Sequence, residues 1–195
     1  MSSSITDFKN AITRNKGFAK PNRFKLEITS VPGWSGSTSD LCVFCETVNF
    51  PGKQINTIDY DIGIRRPLKI PTNYTEDDIT ITFNLTNNYL AKVAIDEWMK
   101  SIINVDTYLL SYDSDYKRNI TISQLDENNS VVYKQQLKSA FPITLNAIEL
   151  DNNSENTIQK VTVVFAFDPK QDATQAASEA SNFIGDINLP TSFTV

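Results

Sequence analysis

The chain has 195 residues, of which 40% are apolar and 21% charged, a composition that suits one globular domain with a sizeable core. It carries 18 basic and 23 acidic residues, a formal net charge of −5, so a broad basic face for gripping nucleic acid is not expected. The sequence contains no histidine, which excludes histidine-based acid–base catalysis and most zinc and haem sites.

The first part of the chain predicts a helix followed by a strand. Residues 4–15 have apolar side chains at helical spacing, Ser4 is a suitable N-cap, and Gly17 ends the segment. After Pro21, which favours extended backbone before it, residues 24–28 alternate between apolar and polar side chains as a strand does. Residues 31–40 predict a loop, in which Trp34 is either an interface anchor or, as we favour, a lid over the core.

Cys42 and Cys45 form a C-x-x-C motif, which at a helix N-terminus would suggest a redox pair. Residues 41–48 predict a strand instead, and residues three apart on a strand point to opposite faces, which disfavours a disulfide or a shared metal. No second cysteine pair completes a zinc site. We interpret both cysteines as small buried apolar residues in a reducing compartment.

The segment from Pro51 to Tyr74 is the most unusual part of the sequence. It is interrupted by Pro67 and Pro71, and it alternates aliphatic with charged residues. Loops beyond about 12–15 residues are usually functional or disordered, and the aliphatic content argues against disorder. The pattern therefore predicts an extended arm or hairpin whose apolar side is buried against another surface, a second subunit being one candidate. The candidate interface residues are Lys53, Ile55, Ile58, Tyr60, Ile62, Arg65, Arg66, Leu68 and Lys69.

A strict alternation follows the arm. Ile79, Ile81, Phe83 and Leu85 share one face, and Thr80, Thr82, Asn84 and Thr86 share the other. This alternation predicts a strand with one buried face.

The rest of the chain predicts one long helix and further strands. Residues 90–102 have a helical apolar stripe, with Asn87 or Asn88 as N-cap; the stripe fits packing on a sheet better than a cofactor groove. Strands are predicted at 107–112, 118–125, 131–137, 143–150 and 157–167, with a hairpin turn at 126–130. A helix is expected over 172–184, followed by an extended tail. The predicted fold is mainly β: a small antiparallel barrel or sandwich with one flanking helix and a long inter-strand arm.

No catalytic, cofactor or metal site is predicted. The carboxylate pairs Asp77–Asp78 and Asp59–Asp61 are explained by surface solvation, and isolated glycines form no phosphate-binding loop. We therefore expect a non-enzyme. No apolar run approaches the roughly 20 residues needed to cross a bilayer, and residues 1–10 lack the core of a signal peptide, so we expect synthesis in a cytoplasm without membrane insertion.

The order of these features resembles the tail tube proteins of contractile-tailed bacteriophages. GFAKPNRFKLEI at 17–28 is similar to the family's opening strand, and CETVNFPG at 45–52 is similar to a short strand ending in a proline turn. The charged segment to Tyr74, then TEDDITITFNL and the helix around DEWMKSI, corresponds to its inter-ring loop, outgoing strand and helix. Residues 141–168 resemble its closing hairpin. The resemblance covers about residues 17–168.

The resemblance implies a virion structural protein, assembled in the bacterial cytoplasm, that forms hexameric rings stacked into a tube. The type VI secretion tube protein has a similar fold. Expected partners are further copies of the chain, the tail sheath protein, and baseplate and tail terminator proteins, with DNA passing through the lumen without specific binding. The arm would connect stacked rings, and Thr80, Thr82, Asn84 and Thr86 are lumen candidates. Residues 1–168 would form the tube-like domain and 169–195 an extension, which keeps open a baseplate tube initiator with the same core. A monomeric binding module is the alternative from another class.

Overall fold

The computed structural model describes residues 4–15, 17–61, 63, 66–105, 107–151, 153, 155, 157–168 and 173–176. The chain divides into two compact units. The first comprises Met1–Lys25, Ser123–Gln135 and Thr174–Val195, and the second comprises Leu26–Ile122 and Gln136–Ala173.

The described elements alternate strands with a few helices. The helices are α1 (Ile5–Arg14), α2 (Thr38–Val43), α3 (Leu90–Ile102) and α4 (Asp113–Tyr116). The strands are β1 (Phe24–Ile28), β2 (Cys45–Val48), β3 (Lys53–Tyr60), β4 (Leu68–Glu76), β5 (Ile79–Asn84), β6 (Arg118–Leu125), β7 (Val131–Leu145), β8 (Lys160–Ala166) and β9 (Ala173–Ala176).

The strands form a seven-stranded sheet of order β1-β6-β7-β8-β5-β2, with β9 beside β7, and a separate two-stranded sheet of β3 and β4. Strand β8 pairs antiparallel with both β5 and β7. The prediction of a mainly β, antiparallel fold is therefore confirmed. The closed barrel is not, because the strand path through the described residues has two ends, β1 and β2.

The core of the second unit lies between helix α3 and the sheet. Strand β5 buries every second residue, as its alternation predicts, and the helix buries Ala91, Ala94, Ile95 and Trp98. The Trp98 ring packs on Phe165 with 5.6 Å between ring centroids, and its indole nitrogen donates to the Tyr116 carbonyl at 2.7 Å. Burial of these side chains is the main force that holds α3 on the sheet.

Trp34 packs half-buried against this core, which agrees with the lid interpretation. Gly36 lies beside the indole of Trp34, where an added Cβ would come within 2.1 Å of a ring carbon. A side chain at position 36 would therefore displace the indole from the core.

Four local predictions are wrong. Residues 38–43 form helix α2, whereas the pattern predicts a loop up to residue 40 and a strand from residue 41; the Ser37 hydroxyl caps the helix by accepting the backbone N–H of Asp40. The N-cap of α3 is Tyr89, in the left-handed region at φ 51°, rather than an asparagine. Residues 107–112 form only an isolated bridge between Ile103 and Leu110. Finally, 131–145 is one strand, and 146–150 is not strand.

The first unit confirms two other predictions. Helix α1 begins after Ser4, whose hydroxyl oxygen accepts hydrogen bonds from the backbone N–H groups of Thr6 and Asp7. The Asp7 carboxylate in turn accepts from the Ser4 N–H, which completes a capping box. The turn at 126–130 joins β6 to β7, with Asn129 at φ 62°. A fifth local prediction is wrong where it can be compared: in the helix predicted at 172–184, Ala173–Ala176 is strand β9, and the remainder lies outside the described residues.

Candidate interface arm and threonine face

Strands β3 and β4 form the predicted arm, a hairpin with its own two-stranded sheet. Near its tip Ile58 lies directly opposite Ile70, and Tyr60 lies opposite Leu68. Directly opposite residues share a face of the sheet, so these four side chains form one apolar patch, which we call the tip patch. All four are exposed in the chain. An exposed apolar strand face of this kind is characteristic of a surface that a partner covers.

The other face of the arm is polar at the tip and apolar closer to the base. Asp59 lies opposite Lys69, on the face away from the tip patch. A bulge interrupts the register between Asn56 and Thr57, where the Thr72 hydroxyl donates to the Asn56 carbonyl at 3.0 Å. Ile55 is an odd number of residues from Ile58 along β3 and therefore lies on the face opposite the tip patch. The arm thus presents apolar side chains on both faces, at different distances from its base.

The base of the arm is held by a buried carboxylate. Glu76, whose side chain is 1% exposed, pairs with Lys53 at 2.6 Å and accepts from the Tyr74 hydroxyl at 2.7 Å. The Lys53 ammonium also lies 6.0 Å from the centre of the Tyr74 ring. The Asp77 N–H closes the hairpin by donating to the Gly52 carbonyl at 3.0 Å. The charge of Lys53 is therefore paired with Glu76 of the same subunit.

The structure places most of the predicted interface residues on this hairpin. Lys53, Ile55, Ile58, Tyr60, Arg66, Leu68 and Lys69 are all exposed. Ile62 and Arg65 lie outside the described residues. The candidate set omitted Ile70 and Tyr74, although the alternation of Leu68 and Ile70 along β4 was a signal that could have found the former. That the candidate residues form an interface stays a prediction.

Strand β5 presents an uncharged threonine face on the side of the sheet away from the core. Thr82 lies between Thr47 of β2 and Thr162 of β8, and its hydroxyl is 3.2 Å from that of Thr162. Thr80 lies opposite Val164, which is itself opposite Thr144. The threonine face therefore extends over four strands, whereas the sequence prediction named only residues 80–86. Thr80, Thr82, Asn84 and Thr86 are half-buried in the single chain.

The one basic residue of β8 is balanced locally. Lys160 lies opposite Asn84 in the register, and its ammonium pairs with the Glu46 carboxylate at 2.6 Å. The Asn84 side-chain oxygen is buried and accepts no hydrogen bond from the described residues. This end of the threonine face thus carries a neutral ion pair and no excess positive charge.

Cys42 and Cys45 lie in successive elements of the chain. Cys42 is in the last turn of α2, Cys45 is the first residue of β2, and the two form no disulfide. Burial, with smaller contributions from Cys42 and Glu46, raises the pKa of the Cys45 thiol to about 12, so the nucleophilic thiolate is disfavoured. In the described part of the chain, no group of three or more cysteine and acidic residues could hold a metal ion. No described helix is both long and apolar enough to cross a bilayer.

Comparisons with known proteins agree with this architecture. The family model described as phage tail tube protein matches residues 18–169. The tail tube protein of Serratia phage KSP90 is 27% identical over 164 residues, covering 82% of this chain and 91% of that protein. The tail tube protein gp19 of Enterobacteria phage T4 is 22% identical over 153 residues, covering 77% and 90%.

Two solved structures share the fold. A chain of the sheath–tube complex of an extracellular contractile injection system, PVC, in the extended state, has a TM-score of 0.58 at 19% identity, with 90% of this chain and 99% of that chain covered. A chain of the anti-feeding prophage baseplate has a TM-score of 0.59 at 14% identity, with 82% and 97% covered. Because the family match spans most of the sequence and includes both the arm and the threonine face, the chain belongs to the phage tail tube protein family.

Proposed function

We propose that this chain is the tube subunit of a contractile phage tail, whose copies form hexameric rings that stack into a conduit for DNA. The proposal rests on the exposed apolar surface of the arm. Its tip patch is exposed in the single chain, and a strand with exposed aliphatic side chains is prone to aggregation unless a partner covers it. A head-to-tail contact that repeats without closing covers such a patch and builds a filament.

The two ends of the arm have different contacts and suit different functions. The base is fixed within the subunit by Glu76, Lys53 and Tyr74, which pre-organises the hairpin. The tip carries the tip patch on one face and the oppositely charged pair Asp59 and Lys69 on the other. Apolar contact supplies affinity in such an interface, whereas charges select partner and register. The arm therefore suits the contact between successive rings.

The threonine face is the proposed lumen surface. DNA must slide through a conduit, and every basic contact to phosphate adds affinity through counterion release and slows passage. A face of threonines, with Lys160 neutralised by Glu46, has the polarity without the excess positive charge that would retain DNA. The sheath, baseplate and terminator proteins are the proposed partners of the assembled tube. This proposal draws support from the fold shared with chains of a sheath–tube complex and a baseplate.

Microscopy of the purified protein tests the proposal directly. We expect rings and tubes in negative stain, together with a large sedimentation coefficient that depends on concentration. A particle that remains monomeric at high concentration, with no tubes, contradicts the tube function and favours a monomeric binding module. Single rings that never stack favour the second candidate, a baseplate tube initiator. That candidate is supported by residues 170–195, which extend beyond the family match.

A further inference from the structure

Helix α1 lacks the packing that a helix of its length requires. It has ten residues and no buried side chain. Ile5 is 76% exposed and Phe8 is 60% exposed, although both lie on its apolar stripe. Isolated helices shorter than about 12–15 residues are marginal in water, and tertiary packing of an apolar face normally supplies the missing stability. The capping box closes only the first turn, so something must cover the exposed stripe.

A groove lies beside α1 within the same unit. Its volume is about 480 Å³, and its lining includes Arg14, Phe18, Lys20, Arg23, Val131 and Val132. Phe18 is exposed and extends the helix stripe, because its ring centre lies 6.5 Å from that of Phe8. Val131 and Val132, at the start of β7, are also exposed. The apolar stripe of α1 therefore meets the groove at Phe18, and we call the stripe and the groove together the N-terminal groove.

The charge of the groove lining is positive, in contrast to the net charge of the chain. Arg14, Lys20 and Arg23 are opposed by Asp126 and Glu127, which leaves 3 − 2 = +1. Lys20 pairs with Glu127 at 2.5 Å. Arg23 donates to the backbone carbonyls of Asp126 and Glu127. The groove therefore fits an apolar segment that carries negative charge.

We propose that residues 177–195 of the same chain occupy the N-terminal groove. Strand β9 pairs with β7, and Thr174–Ala176 belongs to the same unit as α1 and the start of β7. The 195 − 176 = 19 residues that follow reach up to about 60 Å when extended, and their tether gives a high effective concentration. They include Glu179 and Asp186 and no basic residue, and their large apolar side chains are Phe183, Ile184, Ile187, Leu189, Phe193 and Val195.

The family match adds an independent reason to pair the two ends. It covers residues 18–169, so both α1 and the 177–195 segment lie outside it. Helix α1 has exposed apolar side chains, and the sequence of the 177–195 segment contains six large apolar residues. Their charges are complementary, and one compact unit contains α1 and the strand from which the segment leaves. In this proposal, α1 and the 177–195 segment together form a small module that lies outside the part of the chain matched by the family.

Hydrogen exchange tests the proposal on the full chain. Deletion of residues 177–195 should speed exchange at least tenfold in 5–14 and 17–20, and leave the arm, 53–60 and 68–76, unchanged. Ile187→Asp with Phe193→Asp should reproduce the deletion, because both replace a large apolar side chain with a charge. The matched control Thr191→Asp with Ser192→Asp adds the same charge at polar positions and should not. Unchanged exchange in α1 after the deletion overturns the proposal, as does faster exchange in the arm as well.

Cross-linking decides whether the segment acts within its own chain. A carbodiimide should join Lys20 to Asp186 or Glu179, and the structural pair Lys20–Glu127 provides an internal standard. In an equal mixture of ¹⁴N and ¹⁵N chains, we expect only isotopically matched products for both links. Mixed products for the segment, with matched products for Lys20–Glu127, would place the segment on a neighbouring subunit and overturn the proposal.

Discussion

Substitution of the tip patch should weaken stacking strongly without unfolding the subunit. In the variant Ile58→Thr with Leu68→Thr, both positions keep β-compatible side chains, since threonine is β-branched like isoleucine. Ile58 is 55% exposed and Leu68 is 58% exposed in the single chain. The hairpin thus already buries less than half of each residue, and under the proposed stacking a neighbouring subunit would bury the remainder.

The free energy lost at each arm contact can be estimated from this remaining exposure. Full burial of a leucine or isoleucine side chain contributes about 1.5–3 kcal/mol. Slightly more than half of each is available to a partner, so the two substitutions together should cost about 2–3 kcal/mol per arm contact. This corresponds to a roughly 30- to 150-fold weaker contact, and every arm of a ring suffers the same loss. The concentration needed for tube formation should therefore rise at least by that factor.

Sedimentation and negative-stain microscopy of the variant provide the assay. We expect folded subunits or single rings at concentrations where the unmodified protein forms tubes. The matched control is Gln54→Ser with Thr75→Ser, a directly opposite and exposed polar pair on the same hairpin. Tubes at the normal concentration from the tip-patch variant would refute the stacking function of the arm. Loss of the folded subunit would show that the patch stabilises the chain itself.

Three further changes test the core, the thiol and the threonine face. Trp98→Phe removes the buried bond to the Tyr116 carbonyl and should lower the free energy of unfolding in urea by about 1–3 kcal/mol. Because the folded pKa of Cys45 is raised to about 12 from its ordinary 9.0, its protonated thiol favours the folded state. Stability should therefore fall as the pH rises from about 9 towards 12, and Cys45→Ala should reduce that fall. Thr82→Lys with Thr162→Lys should make assembled tubes retain DNA in a salt-dependent manner.

Each change has a control and a contradicting outcome. The control Trp34→Phe substitutes a half-buried indole. If it lowers the free energy of unfolding as much as Trp98→Phe does, the hydrogen bond of Trp98 does not account for the loss. An unchanged alkaline profile in Cys45→Ala would assign the pH dependence to other groups. Thr82→Gln with Thr162→Gln adds similar bulk without charge; equal DNA retention by both variants, or none by the lysine variant, contradicts the lumen assignment.

The sequence by itself determined the elements whose periodicity is fixed by local burial. The alternation of β5, the apolar stripe of α3 and the Ser4 cap of α1 each predicted an element that the structure contains. These predictions succeed because side-chain period follows from backbone geometry and needs no knowledge of the partner element. The order of the same features also identified the family, since motifs in fixed order persist when single residues do not.

Only the tertiary structure decided how these elements pair and where the side chains of the arm point. The bulge leaves Thr72 of β4 without a partner on β3 and shifts the pairing, so that Ile58 lies opposite Ile70 and Tyr60 opposite Leu68, and no local pattern predicts that shift. Burial of Glu76 beneath the arm depends on Lys53 and Tyr74 meeting it across the hairpin. The extent of the threonine face likewise depends on which strands flank β5. Strand order and register arise from contacts between residues distant in sequence, which composition and periodicity do not encode.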